Sequence, residues 1–501
     1  MATNLATPGV YIEERSSFGT SVASVPTAVP AFVGFTEKAL RGTQSLLNKP
    51  TKITSFGDFI ELFGGQPITQ FEISSDPEGN SLYNLKLVKS TRYLMYDSIR
   101  LFFVNGGSDC YVVSVGDYNS TITGNKLNDI KTGGGISSLE KQTEPTLLVV
   151  PEATLLSESD CFSIQAAMLA HCGFKMKNRF AILDVYNGDR DRTFDDADVV
   201  NRFREGIGVN NLAWGAAYYP FLNTNIVQQS DINFTRVSNP ESLVEILNAE
   251  VDANLESQKI SEARAEGIKL EIAKILETTD ANQIKSLQGT LKVISPLLNS
   301  VLADITDVLN VMPPSAAMAG AYAMVDQSVN VAKSPANISL GSVISPTVNI
   351  NSENQEELNL PLNGKAVNAI RSFAGKGTLV WGARTLEGNS QDYRYISVRR
   401  TMTYLEQSIK SSAETFVFSP NNATTWASLK ASVYNFLNNQ WSSGILVGSN
   451  PADAFDIQIG LGATMTANDI LDGVLKMTIK VAIVRPAEFI SITFEQQQQK
   501  S

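Results

Sequence analysis

Between residues 146 and 222, apolar runs alternate with helical stretches, and this pattern constrains the fold more than any other feature of the chain. Thr146–Pro151 (TLLVVP) is continuously apolar, and Arg179–Tyr186 (RFAILDVY) and Asn211–Leu222 (NLAWGAAYYPFL) repeat the theme. Runs this short and this apolar read as buried strands. Between them, SESDCFSIQAAMLAHCG reads as a helix, with Ser157 or Ser159 as its cap and Gly173 as its stop. DADVVNRFREG reads as a second helix. Buried strands alternating with helices imply a layered, largely parallel α/β unit.

The segments on either side extend this picture. Ala28–Phe35 and Cys110–Val115 are further strands, and Ser55–Gly65 is a helix capped by Ser55 and stopped by Gly64-Gly65. Residues 117–142, rich in Asn, Gly, Thr and Ser, read as a surface loop. Residues 241–311 are charged and helical, and their second half places Leu291, Ile294, Leu298, Val301, Ile305 and Val308 at spacings of three and four. Pro296 interrupts that stripe and should kink or restart the helix. Two arms meeting near Thr278-Thr279-Asp280 make a helical-hairpin insertion, either an ordinary packed decoration or a partner-binding coiled coil.

From about residue 334 the chain reads as a separate domain. Thr424–Gly444 is an amphipathic helix. Val474 to Ile483 alternates, with Leu475, Met477, Ile479, Val481 and Ile483 on one face and Val474, Lys476, Thr478, Lys480 and Ala482 on the other. Pro486 ends that strand, and Phe489–Phe494 makes one more before the polar tail EQQQQKS. At the opposite end, Thr7–Arg15 (TPGVYIEER) is a short strand followed by a small-residue tether up to Pro26, with no evident partner nearby. The expected organisation is therefore 1–26 as strand and tether, 27–333 as an outer α/β domain, and 334–501 as an inner domain.

The chemistry-bearing residues are few. The 501 residues carry a net charge of −11, so nucleic acid and anionic lipid are poor partners. No apolar run approaches the roughly 20 residues that cross a bilayer, and no secretory signal is visible. Cys110, Cys161 and Cys172, an odd and scattered set, suit reduced thiols. His171 is the single histidine, and it reads as a helix C-terminal residue where positive charge is favoured. With one His and three scattered Cys, a His/Cys zinc site is not expected. Asp184, Asp189, Asp191, Asp195, Asp196 and Asp198 cluster after a strand and could serve a metal-dependent α/β enzyme, but their spacing matches no EF-hand loop. A capping, solvated role for them is the plainer reading. Asn363–Val367 and Gly375–Thr378 each contain Gly-Lys without the upstream glycine of a phosphate-binding loop. No cofactor or metal is expected, which favours a structural or binding role.

The last third resembles the contractile tail sheath proteins of myophages and related contractile injection systems. The residues that carry the likeness are VAKSPAN (Val331–Asn337), Leu362–Leu386, Tyr395–Ile409, Phe416–Gly448 and IVRPAEFISITF (Ile483–Phe494), with TPGVYIEE at the start of the chain. The middle is a looser match through AFVGFT, FFVNGGSDCYVVSV and AILDV.

The resemblance implies a fold class of α/β (α+β) type: an inner domain whose small sheet is completed by strands from neighbouring subunits, plus an outer layered α/β domain. It implies a non-enzymatic subunit of stacked six-subunit rings around an inner tube, which contract to drive the tube through an envelope. The implied linking strands carry Val10, Tyr11, Ile12 and Glu13 at one end. At the other they carry Met477, Ile479, Val481, Ile483, Ile490, Ile492 and Phe494. Ser16, Ser17, Gly19 and Ser21 form the implied hinge. Arg399, Arg400 and Lys410 are candidate tube contacts, the two arginines being equally suited to holding the inner domain together. The implied partners are further copies of the chain, an inner tube protein, and baseplate and terminal cap proteins. Assembly in a bacterial cytoplasm, as part of a phage tail or tail-like particle, is also implied.

Overall fold

The three apolar runs of residues 146–222 become three neighbouring parallel strands, Leu147–Val149, Phe180–Asp184 and Gly215–Tyr219. They lie at the centre of a nine-stranded sheet in a computed structural model that describes residues 22–76 and 82–489. The sheet order is Ile338–Ser339, Gly377–Val380, Asn368–Phe373, Gly215–Tyr219, Phe180–Asp184, Leu147–Val149, Pro30–Gly34, Cys110–Ser114 and Thr51–Ile53. The six strands from Asn368–Phe373 to Cys110–Ser114 are parallel, and each strand beyond them pairs antiparallel with its inner neighbour.

Alternate residues of these strands feed two cores, one on each face. Phe32, Val112, Val149, Ile182 and Tyr218 enter one, and Val33, Val113, Leu148, Leu183 and Tyr219 the other. This double burial is why the strands read as continuous apolar runs rather than alternating ones. Helices Met95–Val104 and Ser315–Ser328 contribute to the first core. They approach closely because residue 320 is glycine: a Cβ there would lie 2.4 Å from the Phe102 carbonyl oxygen. Helices Glu158–Ala170 and Val199–Gly206 contribute to the second core.

Local signals hold at most element ends. The Ser55 hydroxyl accepts from the Asp58 N–H at 3.1 Å, and Gly64 follows the helix with φ +91°. Ser157 caps Glu158–Ala170. Gly173, expected as that helix's stop, instead lies inside a wider turn, His171–Met176, and the left-handed residue is Lys177. Glycine is needed at 173 for space, because a Cβ would sit 2.6 Å from Trp214 Cδ1.

Three larger expectations change. The 117–142 segment is not a free loop, because Leu127, Ile136 and Leu139 are buried in the second core. The 241–311 insertion is four helices rather than two long arms: Pro240–Glu256 and Glu262–Ala273 fold back on each other, with Lys269 Nζ 2.5 Å from Asp252, and Ala281–Ile294 and Pro296–Leu309 follow. Ser295 caps the helix that Pro296 restarts. Its stripe belongs to the first core, with Leu291, Leu298, Val301 and Ile305 fully covered. A decoration sharing the main core is therefore the reading that fits.

The division of the chain also differs from the expected boundary at 333/334. Among the described residues, 22–25 with 404–484 form one unit, and 26–403 with 485–489 form the other. Tyr218 and Tyr219 pair in register with Asn368 and Ala369, so the chain after 334 extends the same sheet. Backbone pairing of this kind joins segments that composition separates.

Candidate functional site

The smaller unit is built on helix Ala423–Ser442 and a two-stranded antiparallel ribbon, Phe455–Ile459 with Met477–Val481. Asn422 caps the helix by accepting from the Thr425 N–H. Phe455 and Ile457 are buried, and Phe455 meets the Tyr434 ring edge-on at 5.4 Å. Opposite them in the ladder stand Val481 and Ile479, while Met477 faces Ile459. These pairs make one apolar face. Met477, Ile479 and Val481 are only half-buried, and Thr478 and Lys480 are exposed, as the alternation predicts.

The pairing fixes which backbone groups are used. Ala482 donates its N–H to Ala454 and accepts from the Val447 N–H, both on the side of the paired strand. Successive residues of a strand point their N–H and C=O groups to opposite edges. Thr478 and Lys480 therefore face Phe455–Ile459. Met477, Ile479, Val481 and Ile483 turn theirs outward, to an edge that is unpaired among the described residues. The outer edge of Phe455–Ile459 is likewise unpaired among them. A two-stranded ribbon is marginal by itself, and open edges invite further strands.

Val10, Tyr11, Ile12, Glu13, Ser16, Ser17, Gly19, Ser21, Ile490, Ile492 and Phe494 lie outside the described residues. The described end of the tether is packed: Ser24 hydrogen-bonds the Tyr404 hydroxyl at 2.9 Å, and the Val25 N–H donates to Ser408 Oγ at 3.3 Å.

Of the three candidate tube contacts, only Lys410 is exposed. Arg399 and Arg400 are buried, so the structural role weighed for them is the one their surroundings fit. Arg400 forms a two-nitrogen pair with Asp326 at 3.0 and 2.5 Å, donates to the Thr27 carbonyl, and lies 4.7 Å over the Tyr322 ring. Arg399 is sandwiched between Trp214 and Tyr393, at 4.2 and 4.5 Å from the ring centroids. Two adjacent arginines near a helix start look like a basic patch in sequence. Only their partners, up to 373 residues away in the case of Thr27, reveal them as core groups. Asp326, the lone charge of the Ala-rich helix Ser315–Ser328, was the available signal.

The aspartate cluster is dispersed by its own hydrogen bonds. Asp184 accepts from the Ser315 N–H at 2.8 Å and the Ser315 hydroxyl at 2.6 Å, holding a helix N-terminus to a strand end. Burial raises its pKa to about 7 against those two donors. Asp198 pairs with Arg192 and accepts from four N–H groups, of Thr193, Phe194, Val200 and Asn201. Burial opposes its charge, yet these contacts hold its pKa below the ordinary value. Asp189, Asp191, Asp195 and Asp196 are exposed. Among the described residues, no group of three or more His, Cys, Asp or Glu side chains is placed to hold a metal ion.

His171 is not the charged helix end that the sequence suggested. Its Nε2 meets Arg179 Nη1 at 3.0 Å, and burial together with Arg179 and Lys175 lowers its pKa to about 3. The imidazole is a neutral acceptor for a buried arginine.

Residues 389–497, which contain the ribbon and its helix, match the phage tail sheath C-terminal domain family. Over 99% of both chains the protein is also similar to the sheath of an extracellular contractile injection system, PVC, in its contracted state, at 27% identity and a TM-score of 0.60. The protein is equally similar to the contracted helical sheath of the anti-feeding prophage (AFP), at 27% identity and a TM-score of 0.60 over 98% of this chain and 99% of that one. A chain of the six-fold symmetrised AFP baseplate matches at 26% identity and a TM-score of 0.60, with the same coverage. No curated protein matches the chain. The resemblance read from the sequence is borne out, and the homology supports a structural sheath subunit. Among the described residues, no helix is long and apolar enough to cross a membrane.

Proposed function

We propose that this protein is a sheath subunit that assembles as stacked six-subunit rings around an inner tube, and that the stack contracts to drive the tube through a target envelope. The observation that carries the reading is the ribbon, both of whose edges are open among the described residues, inside the segment that matches the sheath domain family. A strand bearing Val10–Glu13 from one neighbour and a strand bearing Ile490, Ile492 and Phe494 from another would complete it by main-chain hydrogen bonds. Ser16, Ser17, Gly19 and Ser21 would let the joined subunits swing without unpairing. Contacts of this head-to-tail kind propagate rings and helices. Lys410 remains the candidate contact to a tube protein. Baseplate and terminal cap proteins are the further partners, and the AFP baseplate match supports the first of these. The particle would be assembled in a bacterial cytoplasm. Energy stored in metastable subunit packing would drive contraction, so the reading needs no cofactor and no catalysis.

Negative-stain electron microscopy of the purified chain tests this. Striated hollow tubes are expected, and a chain lacking residues 1–15 should stay folded but form none. Tubes that form as before without that segment would overturn strand donation.

A further inference from the structure

The last described residues carry a fastening that the open ribbon does not explain. The chain leaves the ribbon's unit at Val484, whose N–H donates to the Ile445 carbonyl. Arg485 and Ala487 are exposed. Glu488 then accepts four hydrogen bonds from three side chains. Arg384 Nε and Nη2 donate at 3.0 and 2.6 Å, Asn359 Nδ2 at 2.6 Å and the Tyr395 hydroxyl at 3.0 Å. The Arg384 side chain is 2% exposed and that of Glu488 17%. Phe489, next in line, is 71% exposed. A forked arginine–carboxylate pair is directional as well as strong.

The fork is itself pinned. The Arg384 backbone N–H donates to Asn368 Oδ1 at 2.8 Å, and Asn368 Nδ2 donates to the Arg384 carbonyl at 2.7 Å and the Ala217 carbonyl at 3.1 Å. Asn368 opens a central strand, and Ala217 lies on the next. A continuous run of short bonds thus links Glu488 to the middle of the nine-stranded sheet. Gly382 makes room for it, since a Cβ there would lie 2.7 Å from the Asn368 Cα.

We infer that Glu488 is a fastening residue, which ties the base of the C-terminal segment 490–501 to the central sheet through Arg384 and Asn368. The inference concerns this clamp alone; its mechanical role rests on the sheath reading above. Without the clamp, tension on a C-terminal strand held by a neighbour would reach Val484 first. It would peel the ribbon from its end, one hydrogen bond at a time. With the clamp, four bonds must break together, and the load passes to a sheet whose strands are covered on both faces.

Two measurements test this. A nitroxide is attached to the full-length chain at an Ala487→Cys substitution, the native Cys110, Cys161 and Cys172 being buried. The unassembled parent should give a broad, immobilised electron paramagnetic resonance spectrum. Glu488→Ala should narrow it, while Glu387→Ala, at an exposed carboxylate three residues beyond Arg384, should not. Glu488→Gln, which keeps the side-chain shape, should fall between and serves if the alanine variant is insoluble. An unchanged spectrum in the Glu488 variants overturns the clamp.

The same variants without the label are then assembled and titrated with urea under the electron microscope. Tubes of Glu488→Ala should fall apart at lower urea than parental tubes. Equal resistance, with the label freed, overturns the load-bearing role. A parent that forms no tubes counts against the sheath assembly reading, and the label spectrum still decides the clamp.

Discussion

Arg400 and Asp326 face each other with 4% of each side chain exposed. Removing one partner strands the other charge in a low-dielectric interior, so Arg400→Ala should cost about 3–5 kcal/mol in urea unfolding. Lys410→Ala, at an exposed position of the same helix, should change stability by less than about 0.5 kcal/mol. Equal losses would mean that Arg400 is not the packed group described. The contrast also separates two roles that sequence merges. Arg399 and Arg400 organise the fold, whereas a cation meant for a partner must be reachable. The same logic governs Asp184 and Asp198, whose oxygens are committed to Ser315 and to Arg192 with its neighbouring N–H groups.

At the scale of elements, the strand Met477–Val481 has one used edge and one edge open among the described residues, and proline distinguishes them. Proline lacks an N–H and is tolerated in a strand only where that N–H faces outward. Ile479→Pro should leave the far-ultraviolet circular dichroism of the subunit intact yet abolish tubes, because in the proposed assembly the N–H it deletes serves an incoming strand. Lys480→Pro deletes an N–H that faces Phe455–Ile459 and should disorder the ribbon in the isolated subunit. If Ile479→Pro assembles normally, that edge takes no strand. Lys480, exposed on this strand, and Lys476, exposed just before it, would suit a ribbon that stays soluble until, in the proposed assembly, it takes a further strand.

At the scale of the whole molecule, the larger unit buries three carboxyls whose pKa values are raised. Burial takes Asp184 and Glu152 to about 7 and Asp97 to about 6. Each contributes stability that is complete below its unfolded pKa and lost as pH rises through its folded value. His171, lowered to about 3, acts oppositely: its contribution is present above the unfolded value near 6.5 and lost as pH falls. Three carboxyls outnumber one imidazole, so thermal melts should show the larger unit more stable at about pH 5.5 than at about pH 8. Asp184→Asn keeps the contacts to Ser315 and removes one titration, so it should shrink that difference. A difference of the same size in the variant would show that Asp184 ionises normally.

The sequence by itself determined most of the elements and the likeness to contractile sheath proteins. Continuous apolar runs specified buried strands, Ser55 and one of Ser157 and Ser159 marked helix starts, Pro296 a kink or restart, and the alternation from Val474 to Ile483 the ribbon strand. These signals are local, set by backbone sterics, capping and the two-residue period of a strand. Only the tertiary structure decided where the chain divides, because Asn368 and Ala369 join Tyr218 and Tyr219 across a long sequence gap. It likewise decided that Arg399 and Arg400 are interior, that His171 is neutral, and that Gly173 serves a tryptophan rather than a helix end. Each of these depends on a neighbour distant in sequence, and burial and pairing energies are properties of that neighbour as much as of the residue itself.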